Sequence, residues 1–271
     1  MTTGTETGLL TAHYDEKTVA SLLFDFFAVD GDASLEGYIE DRARPLLDGG
    51  TAAAVNIFEL REQEVPATPI ARGIRQGLTP AYEDRLWLHL DREAQSDAVP
   101  DRPRPAVVYG AAYQLAADDF DPLTALPEAA GRSVISSGAY RKMIDFGRPD
   151  PTSDDAFQGA MIVFTHPTDL GHVESFNDWY TTNHMIDVAK SPPFRSATRY
   201  ILERRIEGTP LPYLCIYEVE SPWSERMHTD MMQQVGVDPW PQRESQPVTE
   251  GGQGVLMIDF WGYFQRAWHA S

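Results

Sequence analysis

Residues 171–205, GHVESFNDWYTTNHMIDVAKSPPFRSATRYILERR, put a histidine, a carboxylate, an amide and several aromatics at helical spacing. At about 100° per residue, Phe176, Trp179, Tyr180, Asn183 and Asp187 fall on one side of a helix, with His184 at its edge. Polar groups buried unpaired cost roughly a few kcal/mol each, so these must pair, meet water or line a cavity; the last is a binding site. His184 and Asp187 are close enough on a helix to interact, and a carboxylate orients an imidazole and raises its basicity. That pair suits general-base catalysis. The plainer reading of His184 is a ring satisfied by a backbone carbonyl at the helix end.

Downstream, FRSATRYILERR (194–205) reads as a strand that brings Arg195, Arg199 and Tyr200 towards the same helix. Any of them can hold an enolate or anionic oxygen; arginines in strands more often face solvent, so Tyr200 is preferred. Asn183 can donate to a carbonyl, and Phe176, Trp179 and Tyr180 serve as core, as pocket wall, or as both. Cys215, the single cysteine, sits inside the strand-like PYLCIYEVE and reads as a small buried hydrophobe.

The elements that must position these side chains follow in a recognisable order. Ser175 with Asp178 makes a capping-box-like start, and Pro192 and Pro193 stop the helix near Lys190, giving a helix over 175–189. Strands are predicted at 159–167, 194–205, 212–221 and 254–266, with a second helix in PWSERMHTDMMQQV (222–235). Strand, helix, strand, strand, helix, strand is the ferredoxin-like plan. The first half repeats it more weakly: strands at 19–31, 51–62, 105–118 and 138–148, with helices at 33–47 and 121–131. An offset of 141 aligns SLEGYIEDRARPLL with SFNDWYTTNHMIDV, setting Tyr38 against Trp179 and placing Ala43 and Leu46 where the second half has His184 and Asp187. The chain therefore divides at 1–150 and 151–271, with a Pro-bearing insertion over about 63–104 and a polar linker at 147–158.

Composition narrows the function classes. Across 271 residues, 41 acidic against 22 basic side chains leave a formal charge of −19, which repels nucleic-acid phosphates and anionic membrane surfaces. No apolar run approaches the roughly 18 residues of a membrane span, and the N-terminus does not read as a signal peptide, so a cytoplasmic protein is expected. His166, His172, His184 and His228 show no close metal-ligand spacing, and no phosphate-cradling glycine motif appears. No metal and no cofactor are expected, which leaves the side chains to act on a small-molecule substrate.

The run FNDWYTTNHMIDVAKSPPFRSATRYIL resembles the helix-and-strand signature of the dimeric α+β barrel superfamily, particularly EthD-like proteins. The resemblance implies an α+β fold in which two ferredoxin-like βαββαβ units close into one barrel, here within a single chain, with a ligand pocket between sheet and helices. A homodimer of the two-unit chain is compatible with it. By that resemblance His184 matches the helix histidine, and Trp179 and Tyr180 the aromatic pair before it. The implied activities span isomerases, cyclases and other lyases, cofactor-free or haem-dependent monooxygenases, and proteins without activity, and fold alone does not choose among them. The residues favour cofactor-independent acid–base chemistry on an apolar, aromatic or polyketide-like molecule. His184 and Asp187 move the proton, Tyr200 or Asn183 holds the oxyanion, and Phe176, Trp179, Tyr180 and Arg199 line the pocket. The alternatives are a monooxygenase and a non-catalytic binder.

Overall fold

The computed structural model describes residues 21–29, 34–63, 107–116, 126–128, 132–147, 158–167, 170–189, 194–208, 210–219 and 255–271. Eight strands form one closed, antiparallel barrel in the order β1-β3-β2-β8-β5-β7-β6-β4. They are β1 (Leu22–Val29), β2 (Ala52–Gln63), β3 (Val107–Leu115), β4 (Arg132–Phe146), β5 (Gly159–Pro167), β6 (Phe194–Gly208), β7 (Tyr213–Val219) and β8 (Leu256–Ala270). Within each half the pairing is identical in kind, β4-β1-β3-β2 and β8-β5-β7-β6; β2 with β8 and β4 with β6 close the ring.

Each strand must satisfy two apolar environments, which explains its composition. Successive side chains point to opposite faces. In LLFDFFAV of β1, Leu22, Phe24, Phe26 and Ala28 enter the barrel interior with Ile162, Phe164, Ile216, Phe260 and Phe264. Leu23, Phe27 and Val29 of the same strand pack outward beneath a helix with Tyr38, Leu46 and Tyr113. A strand buried on both faces reads as a continuous apolar run instead of an alternation. Gly110 in β3 permits this interior packing: a Cβ there would come within 2.8 Å of the Phe24 ring. Where β6 ends, Gly208 takes a left-handed φ of 64°, which side chains other than glycine resist.

Among the described residues two helices cover the barrel, and both carry the same irregularity. Helix α1 (residues 35–48) runs Leu35–Tyr38 as α, Ile39–Ala43 as a π-turn and Arg44–Asp48 as α; helix α2 (residues 173–189) runs Val173–Trp179, Tyr180–His184 and Met185–Ala189 in the same succession. The N–H of Arg44 bonds the carbonyl of Ile39, and that of Met185 the carbonyl of Tyr180, each five residues back. The π-turns coincide at the offset of 141. Both helices pack on apolar clusters, α1 over Leu23, Phe27, Val55 and Ile57, and α2 over Met161, Val163, Tyr213 and Cys215.

The helix starts differ from expectation in one respect. Ser34 caps α1, its Oγ accepting from the Gly37 N–H at 3.2 Å. At the equivalent position Ser175 does not cap α2: a 3₁₀ turn over Leu170–His172 starts the helix earlier, and the Ser175 Oγ donates to the His172 carbonyl. The strands expected at 159–167, 51–62 and 194–205 lie at Gly159–Pro167, Ala52–Gln63 and Phe194–Gly208. The insertion beyond Gln63, the helix expected at 222–235 with His228, most of that at 121–131 and most of the linker lie outside the described residues. Among the described residues no helix is long and apolar enough to cross a membrane.

Candidate active site

The second-half site forms where α2 crosses β6 and β7. Strand parity brings Ala197, Arg199 and Ile201 of β6 under the helix beside Tyr213, Cys215 and Tyr217 of β7. Arg199 is fully buried. Its Nη2 donates to Asn177 Oδ1 at 2.8 Å, and its Nη1 to Thr181 Oγ1 at 2.7 Å and to the Asn177 carbonyl at 3.3 Å. The guanidinium also faces the rings of Tyr180, Tyr213 and Phe176 at 4.2, 4.8 and 5.0 Å, an arrangement in which ring quadrupoles favour a cation. Asn177 completes the link by donating to the Tyr213 hydroxyl at 2.8 Å. A buried cation is thereby held over β6 by neutral groups of the helix.

His184 occupies the end of the π-turn. Its ring stacks on Trp179 at 4.8 Å and 26° and meets Tyr180 edge-on at 4.9 Å. The residue as a whole is half-buried, whereas its Nδ1 is enclosed and has no hydrogen-bond partner. Burial, reinforced by the Arg199 charge and only partly opposed by Asp187, lowers its pKa to about 4. The ring is therefore neutral at physiological pH and can accept a proton. Nearby, burial raises the phenols of Tyr180, Tyr213 and Tyr217, so they remain donors. Burial pushes the Cys215 thiol up to about 12, which keeps it protonated and unreactive.

The structure sorts the residues singled out from sequence. Phe176, Trp179 and Tyr180 are buried together under the helix beside His184 and Arg199, and Asp187 is buried on the next turn. Tyr200 is not with them. The parity that turns Arg199 towards α2 turns Tyr200 into the barrel interior with Phe24, Phe164 and Leu214, so it cannot stabilise an oxyanion beside His184. Asn183 also departs from expectation: the π-turn inserts one residue into the helical repeat, Met185, Val188 and Ala189 take the core positions, and Asn183 is half-buried with its amide donating to Thr182 Oγ1 at 3.0 Å. Asn177, which the helical spacing did not single out, is the amide that bonds Arg199 and Tyr213.

The first half holds a polar cluster of its own where α1 meets β1, β3 and β4. Asp25, the one charge in LLFDFFAV, is fully buried and accepts from Arg42 Nε at 2.6 Å, Arg42 Nη2 at 3.1 Å and Tyr38 Oη at 2.8 Å. Ser137 Oγ donates to Asp25 Oδ1, the oxygen that also accepts from Arg42 Nη2, at 2.5 Å, and Tyr38 and Tyr113 share a hydroxyl contact of 2.5 Å. Arg42 Nη1 reaches the Pro127 carbonyl at 2.8 Å. Burial alone would lower the Arg42 pKa, but Asp25 overrides it and the net shift is upward. A lone aspartate in a run buried on both faces, and an arginine about two turns into an apolar helix face, were the signals available in sequence.

Among the described residues no group of three or more His, Cys, Asp or Glu side chains is placed to hold a metal ion. No model of a known protein family matches the chain, and no curated protein matches it either.

Proposed function

We propose that this protein is an enzyme that performs cofactor-independent acid–base chemistry, such as isomerisation, cyclisation or elimination, on a small apolar, aromatic or polyketide-like molecule bound against α2. The observation that carries this reading is the enclosed, unpartnered Nδ1 of His184. Buried polar atoms are nearly always bonded, and an exception needs an explanation, a catalytic role among them. A neutral imidazole flanked by Trp179 and Tyr180 can take a proton from a carbon acid stacked nearby, while the fixed Arg199 charge favours the anion that forms. The buried tyrosines can donate but not accept protons at neutral pH, and this reading gives the part of the base to His184, with Asp187 beside it.

The matching strand orders of the two halves and their coincident π-turns support the further proposal that the chain is a fusion of two ferredoxin-like units of the dimeric α+β barrel type, divided near residue 150. A second functional reading, a non-catalytic binder of the same class of molecule, is favoured by one feature. A base of pKa about 4 provides less driving force than one near neutrality.

Incubating the protein in D₂O with a panel of aromatic and polyketide-like ketones separates the readings. Catalysed exchange of protons next to the carbonyl supports the enzyme. Saturable binding without exchange supports the binder, and neither binding nor exchange across the panel removes the site.

A further inference from the structure

Arg132, at the start of β4, is the least satisfied buried charge of the first half. Its side chain is only 7 % exposed, Nε and Nη1 have no hydrogen-bond partner, and Nη2 alone reaches Glu207 Oε2 at 3.3 Å. Its neighbourhood follows from register. Arg132 stands beside Val29 of β1, whereas Glu207 of β6 stands beside Ser137, the residue whose Oγ donates to Asp25. To meet Glu207 the Arg132 side chain runs along β4 towards the Asp25 cluster while Glu207 reaches back to it. Consistent with that placement, burial raises the Tyr113 phenol and the Arg132 charge opposes the rise.

The charges around this guanidinium leave it needing an anion. Asp25 is taken by Arg42, Tyr38 and Ser137. Glu207, the ion-pair partner of Arg132 among the described residues, is 53 % exposed, and its contact is a single long one, the kind that contributes little. Buried arginine is expected to be both paired and hydrogen-bonded. Two of its nitrogens are without a hydrogen-bond partner beside a cluster whose own groups bond one another, so this guanidinium has donors to offer an anion.

We propose that the protein binds a small carboxylate at Arg132 of β4, with Glu207 of the neighbouring β6 as the competing group at the rim. The Arg42–Asp25 pair is neutral, so the charge available to a ligand is the single positive charge of Arg132. That matches a carboxylate better than a phosphate, whose second charge would face Asp25. The Phe27, Tyr38 and Tyr109 rings, stacked at 4.0 and 5.6 Å on the same face of the sheet, suit an aromatic acid. This site is separate from that of His184 and does not depend on its assignment.

Benzoate titration of the full chain at constant ionic strength, followed by calorimetry and by thermal melting, tests the proposal, with inorganic phosphate as the comparison anion. Wild type should bind benzoate saturably, phosphate at least tenfold more weakly. Arg132→Met should lose benzoate binding without a fall in melting temperature, because the guanidinium it removes is poorly bonded. Glu207→Gln, a change at an exposed position, should tighten benzoate several-fold by removing the competitor. Equal responses of wild type and Arg132→Met, equal binding of phosphate, weaker binding in Glu207→Gln, or a large loss of stability in Arg132→Met would each overturn it.

Discussion

The two helix–sheet interfaces share a backbone and treat charge in opposite ways. Under α1, Arg42 comes from the helix and meets a carboxylate in the sheet, Asp25, with hydroxyls filling the remaining positions. Under α2, the cation comes from the sheet as Arg199 and meets helix groups that are neutral, Asn177 and Thr181, among three aromatic rings. At the end of the π-turn the first half has Ala43, buried and inert, where the second has His184 with an idle nitrogen. One fold thus supports a closed ion pair in one half and a neutral, proton-accepting ring in the other. The π-turns of the two halves coincide, so at that position the contrast lies in the side chains they carry.

The largest effect should come from breaking the ion pair. Asp25→Ala leaves Arg42 charged and buried, which typically costs about 3–5 kcal/mol, read as a lower denaturation midpoint with an unchanged slope. Next is a pH effect confined to the second half. His184 is depressed to about 4 in the folded protein from the 6.5 of an ordinary histidine. As pH falls below 6.5 the unfolded chain takes up the proton first, so stability should decline between pH 6.5 and 4 and be flat above. The decline is at most about 3 kcal/mol for that shift. It should be missing from His184→Phe, and a slope unaltered in that variant would show that the ring is not held neutral. Arg199→Met should cost less than Asp25→Ala, about 1–3 kcal/mol, since it strands the Asn177 amide and the Thr181 hydroxyl. The smallest contrast is between equivalent serines: Ser34→Ala should cost about 1 kcal/mol, and Ser175→Ala, which removes no cap, distinctly less. Equal losses would mean the two helix starts are not as different as their hydrogen bonds.

Much of the barrel was legible because strands buried on both faces leave unbroken apolar runs, and GAMIVFTHP, VASLLFDFFAVDG and TAAAVNIFELRE give β5, β1 and β2 nearly to their ends. The site was legible in part. Helical spacing collects Phe176, Trp179, Tyr180 and Asp187, but a regular repeat cannot foresee the π-turn, and from that point Asn183 and Met185 exchange roles. On β6 the alternation of Arg199 and Tyr200 is plain in sequence, yet which parity faces the helix is decided by barrel closure through β4 and β7, a long-range property. The Asp25–Arg42 pair spans strand and helix, and only tertiary contact reveals that the two charges meet.

The central claim is that the second interface differs from the first by doing proton chemistry through His184. The most direct test is the rate of deuterium exchange into whichever ketone of the panel the wild type accepts, measured for wild type and for His184→Ala alongside their melting temperatures at neutral pH. The account predicts a loss of at least about a hundredfold in rate, the usual contribution of a positioned base, with the melting temperature within a few degrees of wild type. An exchange rate retained in His184→Ala would contradict it.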